Sequence, residues 1–201
     1  KEFGRTLSDE NVNIIDPFTG TGTFITRLLQ SGLIEPKDLK RKYENEIFAN
    51  ELILLAYYVA SVNIESVYHD LTDDNEIFKG ICLTDTFQLG ERPETELFTD
   101  RFPKNSARLE KEVKTPIHVI ISNPPYSAKQ KNANDNAQNM KYEKLDESIR
   151  KTYAEKSTAT LKNSVYDSYI RAFRWATDRI DPENGGIIAF ITNSGWLDGN
   201  A

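Results

Sequence analysis

Asn123-Pro124-Pro125-Tyr126 is the stretch of this chain whose residue types are best suited to chemistry. An amine on a conjugated ring or amide is a poor nucleophile, because its lone pair is delocalised. A site that accepts hydrogen bonds from both of its N–H groups favours the pyramidal nitrogen that develops during attack. The side-chain oxygen of Asn123 and the carbonyl of Pro124 can supply those two acceptors. Pro124 and Pro125 fix their own φ and push the preceding residue out of the helical region, which holds the acceptors in place. Tyr126 offers a flat ring on which a planar base can stack. A plain Pro-Pro turn closing a strand is the simpler alternative.

A second cluster lies upstream, at Asp16-Pro17-Phe18-Thr19-Gly20-Thr21-Gly22-Thr23-Phe24. Glycines at the end of a strand permit tight backbone geometry and bring N–H groups and a helix N-terminus close to a ligand. A dinucleotide fingerprint would need a third glycine where Ile25 stands, and the Gly-Lys-Ser/Thr ending of a P-loop is absent. Glu51 and Asp85 stand at the ends of the next two apolar runs. A carboxylate at the first can accept both hydroxyls of a ribose, and one at the second can accept from an adenine amino group. Each acid alone reads as a solvated surface group. Three consecutive strand ends bearing suitable groups read as a nucleoside site.

The elements that must position these residues alternate along the chain. Val12 to Ile15 reads as a strand, Thr23 to Gln30 as a helix with Gly32 as its stop, and Glu46 to Glu51 as a second strand. An apolar helix follows through Leu52, Leu55, Ala56, Val59 and Ala60, then strands at Ile81 to Thr84 and Ile117 to Ser122. Asn163 to Ile180 reads as a helix and Ile187 to Thr192 as a fifth strand. Buried strands alternating with helices predict an α/β fold with a mostly parallel central sheet and helices on both faces. Two polar segments, about 88–115 and 127–161, interrupt the pattern and read as long loops, either solvated and mobile or forming a lid over the site.

The chain has 201 residues, 38% hydrophobic and 28% charged, which suits one folded domain. A net charge of −6 excludes a strongly basic nucleic-acid clamp within this stretch. The single cysteine, Cys82, excludes an internal disulfide framework and a thiolate zinc cage, and fits a reducing cytoplasm. No metal site is expected, because His69 and His118 lack ligand spacing. No run is long enough to span a bilayer, so no membrane partner is expected. The chain opens without methionine and stops in mid-pattern, so it is expected to be a segment of a larger protein.

With these residues in view, the chain resembles S-adenosylmethionine-dependent DNA methyltransferases acting on adenine N6. The Asp16 to Gly22 turn, Glu51, Asp85 and Asn123 to Tyr126 look like their motifs I, II, III and IV. Phe24, Thr86 and Phe87 fall where that family lines its cofactor, and Gly185 to Leu197 resembles the strand that helps wall the target-base pocket. The resemblance implies a Rossmann-like fold, S-adenosylmethionine as cofactor, and duplex DNA with a flipped adenine as partner. It implies that residues 1–201 are a catalytic domain fragment carrying motifs I to about VI, with motif X and a basic recognition domain outside it. Contacts with DNA would then come mainly from other regions, and the fragment alone could be inactive. The motif order resembles the γ arrangement. Asn50 to Tyr58 and Asn193 to Gly199 look closest to type ISP single-polypeptide restriction–modification enzymes.

Other functions remain open at this level. The same tetrapeptide chemistry would serve a protein glutamine amide or an RNA base, and a non-catalytic cofactor- or partner-binding module is a third reading. Cys82 sits within a strand and outside a Pro-Cys context, which argues against cytosine C5 methylation. Trp175 and His118 read as packing residues, Trp196 as packing or base contact, and Lys129 and Lys131 as a solvated loop.

Overall fold

The computed structural model describes residues 4–91, 102–126, 142–157 and 163–195. Among these, five strands form one sheet: β1 (Ile14–Asp16), β2 (Ile47–Glu51), β3 (Ile81–Leu83), β4 (Val119–Ser122) and β5 (Ile187–Phe190). Their order is β3-β2-β1-β4-β5 and every pairing is parallel, so all carboxyl ends lie along one edge. Six α-helices accompany them: α1 (Thr23–Gln30), α2 (Pro36–Arg41), α3 (Leu54–Thr72), α4 (Pro103–Lys114), α5 (Glu143–Ile149) and α6 (Ser168–Arg179). The strand order reverses between β1 and β4, the place where open α/β sheets bind ligands.

Alternation along each strand sends neighbouring side chains to opposite faces. Ile14, Ile47 and Ala49 pack with Ile25, Leu28 and Leu29 of α1 and Ala60, Ile64 and Tyr68 of α3. Ile15, Phe48 and Ile120 pack on the other face with Leu145 and Ile149 of α5 and Ala172, Trp175 and Ala176 of α6. The result is a three-layer sandwich with two cores, one on each side of the sheet. Gly32, at φ 72°, ends α1 in the left-handed conformation that glycine adopts without strain.

Three expectations are corrected here. The stripe that α3 buries is Ala60, Ile64 and Tyr68 at four-residue spacing. Leu52, Leu55 and Val59 instead face outward, Leu55 with 73% of its surface exposed. The polar segments are not wholly loop: α4 buries Leu109 and Glu112, and α5 buries Leu145 and Ile149. A short amphipathic helix needs only one apolar stripe, and here a carboxyl group occupies part of it, which hid the periodicity. Residues 92–101, 127–141 and 158–162 of those segments lie outside the described residues, with Lys129 and Lys131. Lastly, β5 is half exposed: Ile188 and Phe190 pack against the second core, while Ile187 and Ala189 on its other face are exposed.

Sequence reading missed α2 and the π-turn that continues it, Lys42–Glu46. Lys42 is fully buried there, pairs with Glu46 at 2.7 Å, and donates to the carbonyls of Asp9 and Val12. That network fixes the chain as it enters β1. Cys82 and Trp175 are buried in the core, and His118 faces Asp181 at 3.4 Å beside the start of β4.

Candidate active site

Asp16 ends β1, Glu51 ends β2, Asp85 follows β3 by two residues, and Asn123 follows β4 directly. Because the strands are parallel, the four positions share one edge of the sheet. The glycine turn is wired into this edge by its own backbone. The Thr19 hydroxyl donates to the Asp16 carbonyl at 2.8 Å, and the Thr19 N–H donates to the Asn50 carbonyl at 2.9 Å. The Gly20 N–H donates to Glu51 Oε2 at 2.7 Å, and Glu51 Oε1 accepts from the Ile53 N–H at 2.7 Å. Glu51 therefore anchors the turn, while each of its oxygens keeps a second lone pair for a ligand hydroxyl.

The two glycines have different jobs. Gly22, at φ 89°, lies so close to α3 that a Cβ would stand 3.3 Å from the Ala60 backbone. Gly20, at φ 57°, has nothing within 4 Å of the place where a Cβ would be, so the turn presents bare backbone there. The helix that follows starts at Thr23 with no side-chain cap and no acid in its first turn, leaving its positive end unneutralised. Thr21 and Thr23 are exposed and Phe24 is half-buried. The Thr21 carbonyl accepts from Asn63 Nδ2 at 2.9 Å.

The Thr86 hydroxyl donates to the Pro17 carbonyl at 2.6 Å, tying the end of β3 to the glycine turn. The rings of Phe18 and Phe87, each next to one of the bonded residues, stand 5.2 Å apart and tilted. Asp85 caps the turn after β3 by accepting from the Phe87 N–H at 3.0 Å. Its other oxygen accepts from the Tyr142 hydroxyl at 2.9 Å. Tyr142 also packs edge-on against Phe87, with the Arg171 guanidinium 5.6 Å over its ring. Arg171 in turn holds Asp146 of α5 through two hydrogen bonds, at 2.7 and 2.9 Å.

Asp16 is wholly buried. One oxygen, Oδ1, accepts from the Ser122 hydroxyl at 2.5 Å and from the Phe18 N–H at 3.2 Å, while Oδ2 has no partner. Burial pushes its carboxyl up to about 7, against the pull of the Ser122 hydrogen bond. Asn123 is exposed at the open edge, and Pro124 is buried beneath it. The Tyr126 hydroxyl lies 2.9 Å from the Ile191 carbonyl and 3.2 Å from Asn123 Oδ1. An amide oxygen has two lone pairs, so Asn123 Oδ1 can still accept from a ligand. The Tyr169 ring stands 5.9 Å from that of Tyr126.

The match to the Eco57I restriction-modification methylase family runs over residues 34–201. The chain belongs to that family. Its fold matches the methyltransferase segment of the ATP-dependent type ISP restriction-modification enzyme LlaBIII, solved bound to DNA, at 49% identity and TM-score 0.88. That match covers 100% of this chain and 14% of LlaBIII. A nuclease-deletion mutant of the type ISP enzyme LlaGI, solved with a DNA substrate mimic, matches at 42% identity and TM-score 0.87 over 98% of this chain and 16% of its own. The DrdV–DNA complex matches at 42% identity and TM-score 0.86, over 98% of this chain and 19% of DrdV. No protein of curated function matches. The methylase chain thus spans less than a fifth of the length of these relatives.

The structure of this Eco57I-family methylase brings together Asp16, Pro17, Phe18, Thr19, Gly20, Glu51, Thr86 and Phe87 through the bonds above. Asp85 joins them through Phe87, and Asn123 joins them through Ser122. Thr21 lies in the glycine turn, and Thr23 and Phe24 are the first two residues of α1. Sequence reading missed Ser122, Tyr142 and Tyr169. Ser122 directly precedes the tetrapeptide, and Tyr142, Leu145 and Ile149 form a helical stripe that could have been read. Trp196 lies outside the described residues.

Proposed function

We propose that this domain transfers a methyl group from S-adenosylmethionine to N6 of adenine in DNA, as the catalytic part of a restriction–modification enzyme. The observation that carries the reading is the join between the two clusters. Asp16 of the glycine turn and Ser122, next to Asn123, are hydrogen-bonded side by side at the strand-order reversal. A ligand on the turn and a base at Asn123 would meet there.

The residues fit such a cofactor. Gly20 leaves room for close backbone approach, Asp16 Oδ2 is an orphaned buried acceptor, and Glu51 keeps lone pairs for ribose hydroxyls. Phe18 and Phe87 would flank the adenine, with Asp85 beside its amino group. When bound, the cofactor supplies an electrophilic methyl group. Asn123 Oδ1 and the Pro124 carbonyl then accept from the target amine, favouring the pyramidal nitrogen as it attacks. Tyr126, tethered at Ile191, stacks on the target base. Chemistry on a base within a duplex requires its extrusion, so the substrate adenine is flipped. Relatives solved with DNA support DNA as the partner. With a net charge of −6, this domain leaves the phosphate grip to other parts of the parent protein.

The test is single-turnover transfer of labelled methyl by the parent protein to a cognate duplex, with the product located by mass spectrometry of the nucleosides. N6-methyladenine is the expected product. Label on a protein glutamine amide or on RNA instead would replace this reading with the alternative.

A further inference from the structure

Ser122 is fully buried, and its hydroxyl meets the carboxylate of Asp16 across the β1–β4 pair at 2.5 Å. A buried carboxylate is costly unless its lone pairs are occupied. Asp16 has one oxygen held twice and the other, Oδ2, held by nothing. A strand end built for stability alone would carry an apolar residue or a fully satisfied acid.

We propose that Ser122 is a positioning residue, whose hydroxyl holds one Asp16 oxygen so that the other stays free to take a hydrogen-bond donor from the amino-acid end of the bound cofactor. The proposal rests on the cofactor assignment above. Neither β-branched packing nor the tetrapeptide requires a serine at this position. The serine makes a hydrogen bond to the ionised carboxyl group, which favours the charged form, and so opposes the burial that raises Asp16. Of the elements around Asp16, β2 brings one charged group, Glu51, which also raises it. The turn from Pro17 to Thr23 carries no charge, and β4 brings only neutral Ser122 and Asn123. Ser122 thus raises the ionised share of Asp16 near neutral pH, together with the Phe18 N–H, and a positively charged amino group binds best to the ionised form.

The first measurement needs no cofactor. The Asp16 side-chain carbonyl carbon is followed by NMR through a pH titration of the chain, as wild type, Ser122→Ala and Ser122→Thr. The Ala variant should bind the proton about tenfold more tightly, and the Thr variant should titrate like wild type. If Ser122→Ala disturbs the fold, Ser122→Cys, nearly isosteric and a weaker donor, should shift the titration the same way. The second measurement, made on the parent protein, compares affinity for S-adenosylmethionine with that for methylthioadenosine, which lacks the amino-acid part. At pH 7, where Asp16 is about half ionised in the wild type, Ser122→Ala should lose about fivefold for the first and nothing for the second, with recovery at higher pH. Asp16→Asn should remove the pH dependence. An unchanged Asp16 titration in a folded Ser122→Ala chain overturns the proposal, as does an equal loss for both ligands. If the wild type binds neither ligand, the cofactor assignment falls, and the carboxyl titration by itself still judges Ser122.

Discussion

The Tyr142 hydroxyl donates to Asp85 Oδ2 at 2.9 Å, so a residue from the second polar segment closes on the carboxylate at the end of β3. Tyr142 is buried against Phe87 and under Arg171, which pins α5 through Asp146. A carboxylate at the sheet edge and a helix read as part of an insertion are thereby one mechanical unit.

That unit predicts coupling. Tyr142→Phe and Asp85→Ala should each destabilise the fold by about 1 kcal/mol or more. Together they should cost clearly less than their sum, because both remove the same bond. Chemical denaturation of the two single variants and the double variant measures the difference. Additive losses would show that the contact carries no energy.

Asn123→Ala should abolish most methyl transfer while leaving the fold intact, since the side chain is exposed and packs into no core. The loss should fall on the chemical step, because the acceptor is most valuable as the nitrogen pyramidalises. Single-turnover kinetics with saturating DNA separates this from weaker binding. Near-normal transfer would falsify the assigned role.

Tyr126→Ala should weaken capture of the flipped base. Tyr126→Phe keeps the ring but loses the tether to the Ile191 carbonyl, so its loss should stay within about tenfold, and Tyr126→Trp should likewise retain much activity. Fluorescence of 2-aminopurine at the target position reports base capture in each variant. Equal defects in Phe and Ala would assign the effect to the hydroxyl.

Glu51→Ala should cost roughly ten- to a hundredfold in cofactor affinity, the value of hydrogen bonds to a charged acceptor. The Gly20 N–H loses its partner in the same variant, so amide exchange at Gly20 should quicken without cofactor. Calorimetry and hydrogen exchange on one preparation test both effects. Unchanged affinity would remove Glu51 from the site.

Stability should fall as pH rises from about 4.5 to about 7 and level off above that. Glu112 of α4 is fully buried, accepts from Asn50 Nδ2 at 2.9 Å, and is pushed up to about 7 by burial. A carboxyl raised in the folded state stabilises fully below its ordinary value of 4.5 and loses that contribution as pH climbs through about 7. The size is on the order of 3 kcal/mol. Asp16 adds to the same slope, raised to about 7 from 3.8. Thermal melts from pH 5 to 8 should show Tm falling, and Glu112→Gln should flatten the slope. A Tm that rises over this range would contradict the burial account.

Much of the sheet was legible because a parallel strand buried on both faces must be a short apolar run, and each of the five runs ends near a turn residue. The period of two along Ile14–Ile15 and Ile47–Phe48–Ala49 then divides the core between two helix layers without further information. The glycine turn, Glu51, Asp85 and Asn123 were legible for a related reason: residues just after such runs must stand at the sheet edge. The tertiary structure alone decided which strand lies beside which. Only the order β3-β2-β1-β4-β5 puts Asp16 next to Ser122, residues 106 apart in the chain. The hydrogen-bond partners of Tyr142 and Glu112 were invisible for the same reason. A polar side chain shows its partner only once the fold has removed water from both, and no local pattern along the chain records that pairing.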